Sequence, residues 1–284
     1  MKTGLVLEGG AMRGMFTCGV LDVLMEHGID FDGAAGVSAG AVFGCNFKSH
    51  QIGRPIRYNK KYCNDPRYCS LRSLITTGDL YGADFCYREL PDELDPFDRK
   101  AFSNNPLPFY ITATDTQTGK AVYHLCSDGG EEDLKWMRAS ASMPIVSRPV
   151  QVDGHMLLDG GIADPVPYQF MSGLGYDRLL LILTQPKGYR KKKGLSLPLL
   201  RLFLPHAQGA AKAMACRYSI YNQQMEEIDR LEQEKSVFVI RPLQALGISR
   251  TEKDPEELER VYQLGRAEAL RLLTSLQLFL YKGN

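Results

Sequence analysis

Short apolar runs alternate with amphipathic stretches along this chain, and the alternation predicts a strand–helix order. Thr3 to Leu7, Phe31 to Val37 and Phe109 to Thr114 read as strands. Lys120 to His124 reads as the partner of the third, across a hairpin turn at Asp115-Thr116-Gln117-Thr118-Gly119. Residues 150–158 suggest a second hairpin around Asp153-Gly154. Leu179 to Thr184 is apolar without interruption, which suits a buried central strand, and Val237 to Ile240 is another. Met15 to Glu26 places Phe16, Val20, Val23 and Leu24 at helical spacing. Ala41 to Phe47, Asp133 to Ser142 (stopped by Pro144) and residues 205–234 also read as helices. The last helix opens at Asp254-Pro255-Glu256-Glu257, with an acidic N-cap, a proline in the first turn and a glutamate at the third position. Its apolar face carries Leu258, Val261, Tyr262, Leu272, Leu273 and Leu276. Strands alternating with helices imply a largely parallel sheet covered on both faces. Residues 51–105 are polar and irregular, with short helical pieces at 55–62 and 88–94, and read as an insertion over the sheet. No repeat or linker divides the chain, so one domain over residues 1–284 is expected.

Three glycine-rich stretches fall at the ends of predicted strands. Gly36-Val37-Ser38-Ala39-Gly40 matches the nucleophile-elbow pattern Gly-x-Ser-x-Gly in its strand–turn–helix setting. The turn is too tight for side chains at Gly36 and Gly40. It lifts the Ser38 hydroxyl out of the chain path, with helix amides behind it. Glu8-Gly9-Gly10-Ala11-Met12-Arg13-Gly14 joins the first strand to the first helix. Its glycine spacing does not fit a dinucleotide loop, and it lacks the Lys-Ser/Thr of a phosphate loop. An ordinary glycine-rich turn fits, and so does an oxyanion loop, for which Gly9, Gly10 and Ala11 supply adjacent amides. Leu157-Leu158-Asp159-Gly160-Gly161 ends an apolar strand with an aspartate. Asp-Gly is a common turn, and the same position also projects a carboxylate into a cleft.

In this order and spacing, over about residues 4–170, the three stretches resemble the patatin-like phospholipase family, and Ala139-Ser140-Ala141-Ser142-Met143-Pro144 is similar to the family's Ala-Ser-x-x-x-Pro block. The resemblance implies a three-layer α/β/α sandwich with a mostly parallel central sheet and a site at the strand ends. It implies Ser38 as nucleophile, Asp159 as its base, and Gly9, Gly10 and Ala11 as the oxyanion hole. Arg13 and Gly14 are expected to support the loop, Arg13 by hydrogen-bonding carbonyls with its planar fork. The implied activity is hydrolysis of phospholipid or related acyl esters, without metal or cofactor. Acyl transfer through the same dyad and a non-catalytic lipid-binding relative are the alternatives. The chain departs from the family pattern at Ala11 (often glycine), Ser147 (often aromatic) and Asp164 (often asparagine).

A Ser–Asp pair raises a chemical question, because a free aspartate with a pKa of about 3.9 is a weak base. Burial is expected to raise that pKa and to strengthen the Ser–Asp hydrogen bond. Of the histidines, only His206 follows Asp159 in the Ser–Asp–His order of ordinary α/β-hydrolases, which makes it the alternative base.

Charge narrows the partners. Lys plus Arg is 34 and Asp plus Glu is 33, which gives no argument for nucleic acid. The seven scattered cysteines fit no usual zinc spacing and read as reduced structural thiols, so a cytoplasmic location is expected. The N-terminal apolar run is too short for a secretory signal, and no stretch approaches a membrane span. Residues 187–204 join a basic run, Lys187 to Lys193, to a leucine-rich one, Leu195 to Leu204. That segment reads either as a solvated loop entering a core helix or as a lip drawn to an anionic membrane surface.

Overall fold

The computed structural model describes residues 1–281. Eight strands form one sheet: β1 (Thr3–Leu7), β2 (Gly33–Val37), β3 (Phe109–Asp115), β4 (Ala121–Leu125), β5 (Val150–Val152), β6 (His155–Asp159), β7 (Arg178–Ile182) and β8 (Val237–Ile240). The helices are α1 (Gly14–Glu26), α2 (Ala39–Lys48), α3 (Arg54–Tyr62), α4 (Leu71–Thr77), α5 (Arg99–Asn104), α6 (Glu131–Ser140), α7 (Tyr168–Gly173), α8 (Leu197–Phe203), α9 (Gln208–Gln233) and α10 (Pro255–Tyr281).

The parallel core runs β3-β2-β1-β7-β8, and β1 sits at its centre. Side chains alternate across it. Leu5, Leu7, Leu180 and Ile182 pack with α1, α2 and α10 on one face. Val6, Ala35, Leu179 and Leu181 pack with α7 and α9 on the other. Both faces are buried, which is why the strands read as continuous apolar runs and why the architecture is a three-layer α/β/α sandwich.

The other edge of the parallel core turns antiparallel in a way that matters for the site. Ala113 and Thr114 of β3 pair with β4 and with β6 at once, so β4 and β6 lie on opposite edges of β3. β2 pairs with residues 109–112 of β3 while β4 pairs with residues 110–114, so β2 shares its edge with β6. Val37 of β2 is registered with Thr112, and Asp159 of β6 with Ala113. The two strands therefore meet end to end along β3.

The segment 51–105 is more regular than its polarity suggests. It forms α3, α4, a π-helical stretch Phe85–Leu94 and α5. The π-helix starts ahead of the expected 88–94 piece and carries Pro91 inside it, a residue that cannot donate to an ordinary helical ladder. β2 begins at Gly33 rather than Phe31, because the Asp32 carboxylate instead accepts from the Thr3 amide at 2.6 Å and the Thr3 hydroxyl at 3.0 Å. Five cysteines are buried as free thiols, and burial pushes the Cys45 thiol up to about 12. Among the described residues no helix is long and apolar enough to cross a membrane.

α1 and α10 cross with their backbones in contact. A Cβ at Gly19 would lie 2.0 Å from the Tyr262 carbonyl oxygen, and one at Gly265 would lie 2.0 Å from that of Phe16. Beside the crossing, the Tyr262 hydroxyl donates to buried Asp22 at 2.7 Å.

Candidate active site

Ser38 stands at the turn from β2 into α2 with φ 54° and ψ −120°, a conformation that costs a non-glycine residue of order 1–3 kcal/mol and must be held by its surroundings. Close backbone approaches hold it. A Cβ at Gly36 would fall 2.5 Å from the Gly40 carbonyl oxygen, and one at Gly40 would fall 2.4 Å from that of Leu7, so only glycine fits either place. A side-chain relay adds to this. The Ser38 amide donates to the Ser140 hydroxyl oxygen at 2.8 Å, and the Ser140 hydroxyl donates to the Thr112 carbonyl at 2.6 Å. Ser140 was legible only as part of the Ala-Ser block, and this pinning of the elbow is a role the pattern did not reveal.

Asp159 closes β6 and is 1% exposed. Its own amide donates to the Ser142 carbonyl at 2.8 Å, and its carbonyl accepts from the Thr114 hydroxyl at 2.8 Å. The carboxylate accepts from the Gly161 amide at 2.8 Å, so the Gly160-Gly161 turn aims it, and the Ser38 hydroxyl stands against it. Burial raises its pKa above the ordinary aspartate value. The Arg217 charge, the Ser38 hydroxyl, the Gly161 amide and the Lys191 charge oppose that shift. The end-to-end meeting of β2 and β6 is what brings the two side chains together.

The loop Gly9-Gly10-Ala11 lies directly over the elbow. A Cβ at Gly9 would be 2.9 Å from the Ser38 Cβ. The amides of Gly9, Gly10 and Ala11 make no hydrogen bond among the described residues, and all three residues line the cavity that Ser38 faces. Ala11 adopts φ 49°, a left-handed conformation that explains why glycine suits this place and that alanine tolerates at a cost. The loop is held by Glu8 rather than by Arg13. The buried Glu8 carboxylate accepts from the Thr184 amide at 2.5 Å and from its hydroxyl at 3.1 Å, tying the end of β1 to the end of β7. Arg13 donates to no carbonyl, and its buried Nε is without a partner among the described residues. It lines the cavity, because the short 3-10 turn Ala11–Arg13 directs its side chain there. Gly14 supports the site sterically, since a Cβ there would meet the Phe43 ring at 2.8 Å.

Two cavities meet at Ser38. The larger, about 510 Å³, is lined by Val42, Tyr58, Tyr87, Leu90 and Met137 among others, and most of its wall comes from segment 51–105 and from α6 with the loop after it. The smaller, about 80 Å³, is polar and contains Asp159, Arg13, Lys191, Arg217 and Tyr221. No histidine lines either one. His206 is exposed in the turn before α9, and only its carbonyl is engaged, by Gln117 at 3.2 Å.

The basic run is divided in its roles. Lys187 pairs with Glu232 at 2.9 Å, and Arg190 lies 3.7 Å from Glu226. Lys191 turns inward, its backbone clamped by Asn222 at 2.8 and 3.1 Å. Its ammonium sits 4.1 Å from the Tyr221 ring centroid. One group of metal-capable side chains, His124, Cys126 and Asp133, lies away from both cavities. There the Asp133 carboxylate already accepts from His124 at 2.7 Å and from the amides of Ser127, Asp128 and Gly129.

Sequence comparison gives this chain its family. The profile described as patatin-like phospholipase covers residues 5–171, and the chain belongs to that family. A second profile, a domain of unknown function (DUF6363), covers residues 207–281. An uncharacterized NTE family protein of Mycobacterium tuberculosis (strain ATCC 25618 / H37Rv) is 30% identical over 181 residues, 64% of this chain and 48% of that protein. The uncharacterized protein YjjU of Escherichia coli (strain K12) is 30% identical over 191 residues, 65% of this chain and 52% of that protein. Lysophospholipase nte1 of Aspergillus niger is 29% identical over 186 residues, 64% of this chain and 12% of that protein. The chain thus matches about half the length of the bacterial relatives. Human GIVD cytosolic phospholipase A2 shares the fold, with a TM-score of 0.54 at 10% identity over 99% of this chain and 58% of that one.

Proposed function

We propose that this chain is a serine lipid acyl hydrolase of the phospholipase A or esterase type, acting through Ser38 and Asp159. The observation that carries this reading is the position of Ser38. It lies at the junction of an apolar cavity and a polar one, under three unengaged amides and against a buried carboxylate. An acyl chain fits the apolar side, and the ester carbonyl then lies beneath the loop. The family description and the lysophospholipase relative support a lipid ester as substrate.

In the proposed cycle Asp159 takes the Ser38 proton as Oγ bonds to the acyl carbon, and the carbonyl electron pair moves onto oxygen. The amides of Gly9, Gly10 and Ala11 stabilise that oxyanion, each such donor being worth about 3 kcal/mol in acyl-transfer enzymes. The oxyanion collapses, the bond to the alcohol breaks, and Asp159 returns the proton to the leaving oxygen. Water, deprotonated by Asp159, then releases the acid and restores Ser38. Transfer to a second alcohol shares the acyl-serine and differs only in the acceptor, so product analysis separates the two.

The test is covalent. A fluorophosphonate should add once to the wild-type chain, as read by intact-protein mass spectrometry, and not at all to Ser38→Ala. Labelling that persists in the variant would remove Ser38 from the mechanism.

We also propose that segment 187–204 rests on an anionic membrane surface. Leu199, Leu202 and Phe203 of α8 are exposed beside Leu195, and exposed Lys192 and Lys193 precede them. Lys191 belongs to the cavity, so the informative variant is Lys192→Gln with Lys193→Gln. Each lysine contributes about 1 kcal/mol at such a surface, so binding to phosphatidylserine vesicles is expected to fall about thirtyfold. Equal co-sedimentation of variant and wild type would mean an ordinary solvated loop.

A further inference from the structure

The small cavity beside Ser38 concentrates positive charge without matching it. Arg13, Lys191, Arg217 and Arg250 all line it, against the carboxylates of Glu8 and Asp159. Both carboxylates act on Lys191 and Arg217 through charge while accepting hydrogen bonds from neutral groups, Glu8 from Thr184 and Asp159 from Gly161 and Ser38, so four basic side chains face two acidic ones. None of the four cations forms an ion pair with a carboxylate among the described residues. Arg217 is committed by one nitrogen only, through Nε to the Gly161 carbonyl at 2.5 Å, and a Cβ at Gly161 would meet its Nη2 at 3.4 Å. The buried Nε of Arg13 has no partner among the described residues. Arg250 is anchored through its backbone, whose carbonyl accepts from the Tyr81 hydroxyl at 3.1 Å. Burial and then the neighbouring Arg217 charge depress Lys191 to about 7, while the Glu8 and Asp159 carboxylates oppose the shift. Guanidinium forks with free donors beside an ammonium form the donor set that recognises a phosphate group.

The origin of these groups is also informative. Only Arg13 lies within residues 5–171. Lys191 comes from the loop after β7, Arg217 from α9 and Arg250 from the loop after β8. The C-terminal part of the chain therefore builds one wall of the site.

We propose that Arg13, Lys191, Arg217 and Arg250 form a subsite for a single phosphate group carried on the head of the acyl-lipid substrate. This rests on the hydrolase reading above. The acyl chain enters the 510 Å³ apolar cavity, the ester lies at Ser38 under the glycine-rich loop, and the phosphate lies against the cationic side chains that line the same 80 Å³ polar cavity. A phosphomonoester head presents its full charge to those cations, so the favoured class is a small, phosphate-headed acyl glycerol.

The experiment compares kcat/KM on oleoyl lysophosphatidate and on monoolein, which share acyl chain and glycerol and differ by the phosphate. p-Nitrophenyl butyrate turnover by the wild type reports separately on the hydrolase reading, since it carries no phosphate. Wild type is expected to favour lysophosphatidate by at least thirtyfold. Lys191→Met with Arg250→Gln should cut that ratio at least tenfold, while Lys191→Arg should keep most of it; circular dichroism and melting curves verify folding. A wild-type ratio near one, with p-nitrophenyl butyrate hydrolysed, overturns the subsite and leaves the hydrolase standing. An unchanged ratio in the folded double variant overturns it as well. Calorimetric binding of inorganic phosphate that the double variant loses, with no preference between the two lipids, overturns the lipid head as the source of the phosphate.

Discussion

Asp159→Asn should lose ester hydrolysis by about 10²- to 10⁴-fold, the range general-base catalysis supplies, while becoming more stable at neutral pH. The two halves have one cause. Asparagine keeps the shape of the carboxylate and can still accept from the Gly161 amide, but it cannot take the Ser38 proton. Burial holds the Asp159 pKa above its unfolded value of about 3.9, so the folded state is the one that binds this proton more tightly. The sign follows from linkage. Below pH 3.9 both states are protonated and the residue costs nothing. As pH rises through the raised folded pKa, the ionised side chain progressively destabilises the fold. The neutral amide escapes that cost. Melting curves of wild type and variant should therefore diverge as pH rises above about 3.9, with the variant higher at neutral pH. Activity of the wild type should fall on the acid side as Asp159 takes up its proton. A variant that retains activity, or one less stable than wild type at neutral pH, would sink this account. A conventional triad would instead make His206→Ala the inactive protein, and its exposed position argues against that.

Gly265→Val should destabilise the chain by about 3 kcal/mol or more. Valine forces atoms to within 2.0 Å of the Phe16 carbonyl oxygen, where no flexible side chain can give way. Helix propensity acts in the opposite direction, since replacing a mid-helix glycine gains up to about 1 kcal/mol, so the steric effect decides the outcome. α10 would have to lift from α1, loosening buried Leu258, Val261 and Leu276 together with the Tyr262–Asp22 hydrogen bond. Urea unfolding measures it, and a midpoint equal to wild type would mean that the helices separate freely.

Much of the parallel core was readable before any coordinates. β1, β7 and β8 appear as unbroken apolar runs because both sheet faces are covered. The elbow and its loop announce themselves by glycines that no other residue can replace. Asp159 was legible as a strand end, but its approach to Ser38 was not, since that depends on the register of an antiparallel strand against β3. Arg217 was hidden inside a long helix whose amphipathic pattern says nothing about the one turn that reaches the cavity. Lys191 was masked by its neighbours, because a run of lysines gives no hint that Asn222 will turn one of them inward. The large apolar cavity is not legible in the sequence for a similar reason. Tyr58, Tyr68, Tyr81 and Tyr87 follow no single period, and only the packing of segment 51–105 gathers them.

The meeting of β2 and β6 along β3 works as a ruler with two adjacent marks. Ser38 follows the residue registered with Thr112, and Asp159 is registered with Ala113, one step of about 3.3 Å further along. Val37, the residue before the proposed proton donor, and Asp159, the proposed acceptor, are therefore placed by adjacent positions of a single strand rather than by the chain that runs between them. Segment 51–105, which supplies much of the apolar cavity's wall, takes no part in either pairing. The end of α6 is where that wall and the two marks are joined: Ser140 pins the elbow, the Ser142 carbonyl holds the Asp159 amide, and the loop that follows walls the apolar cavity.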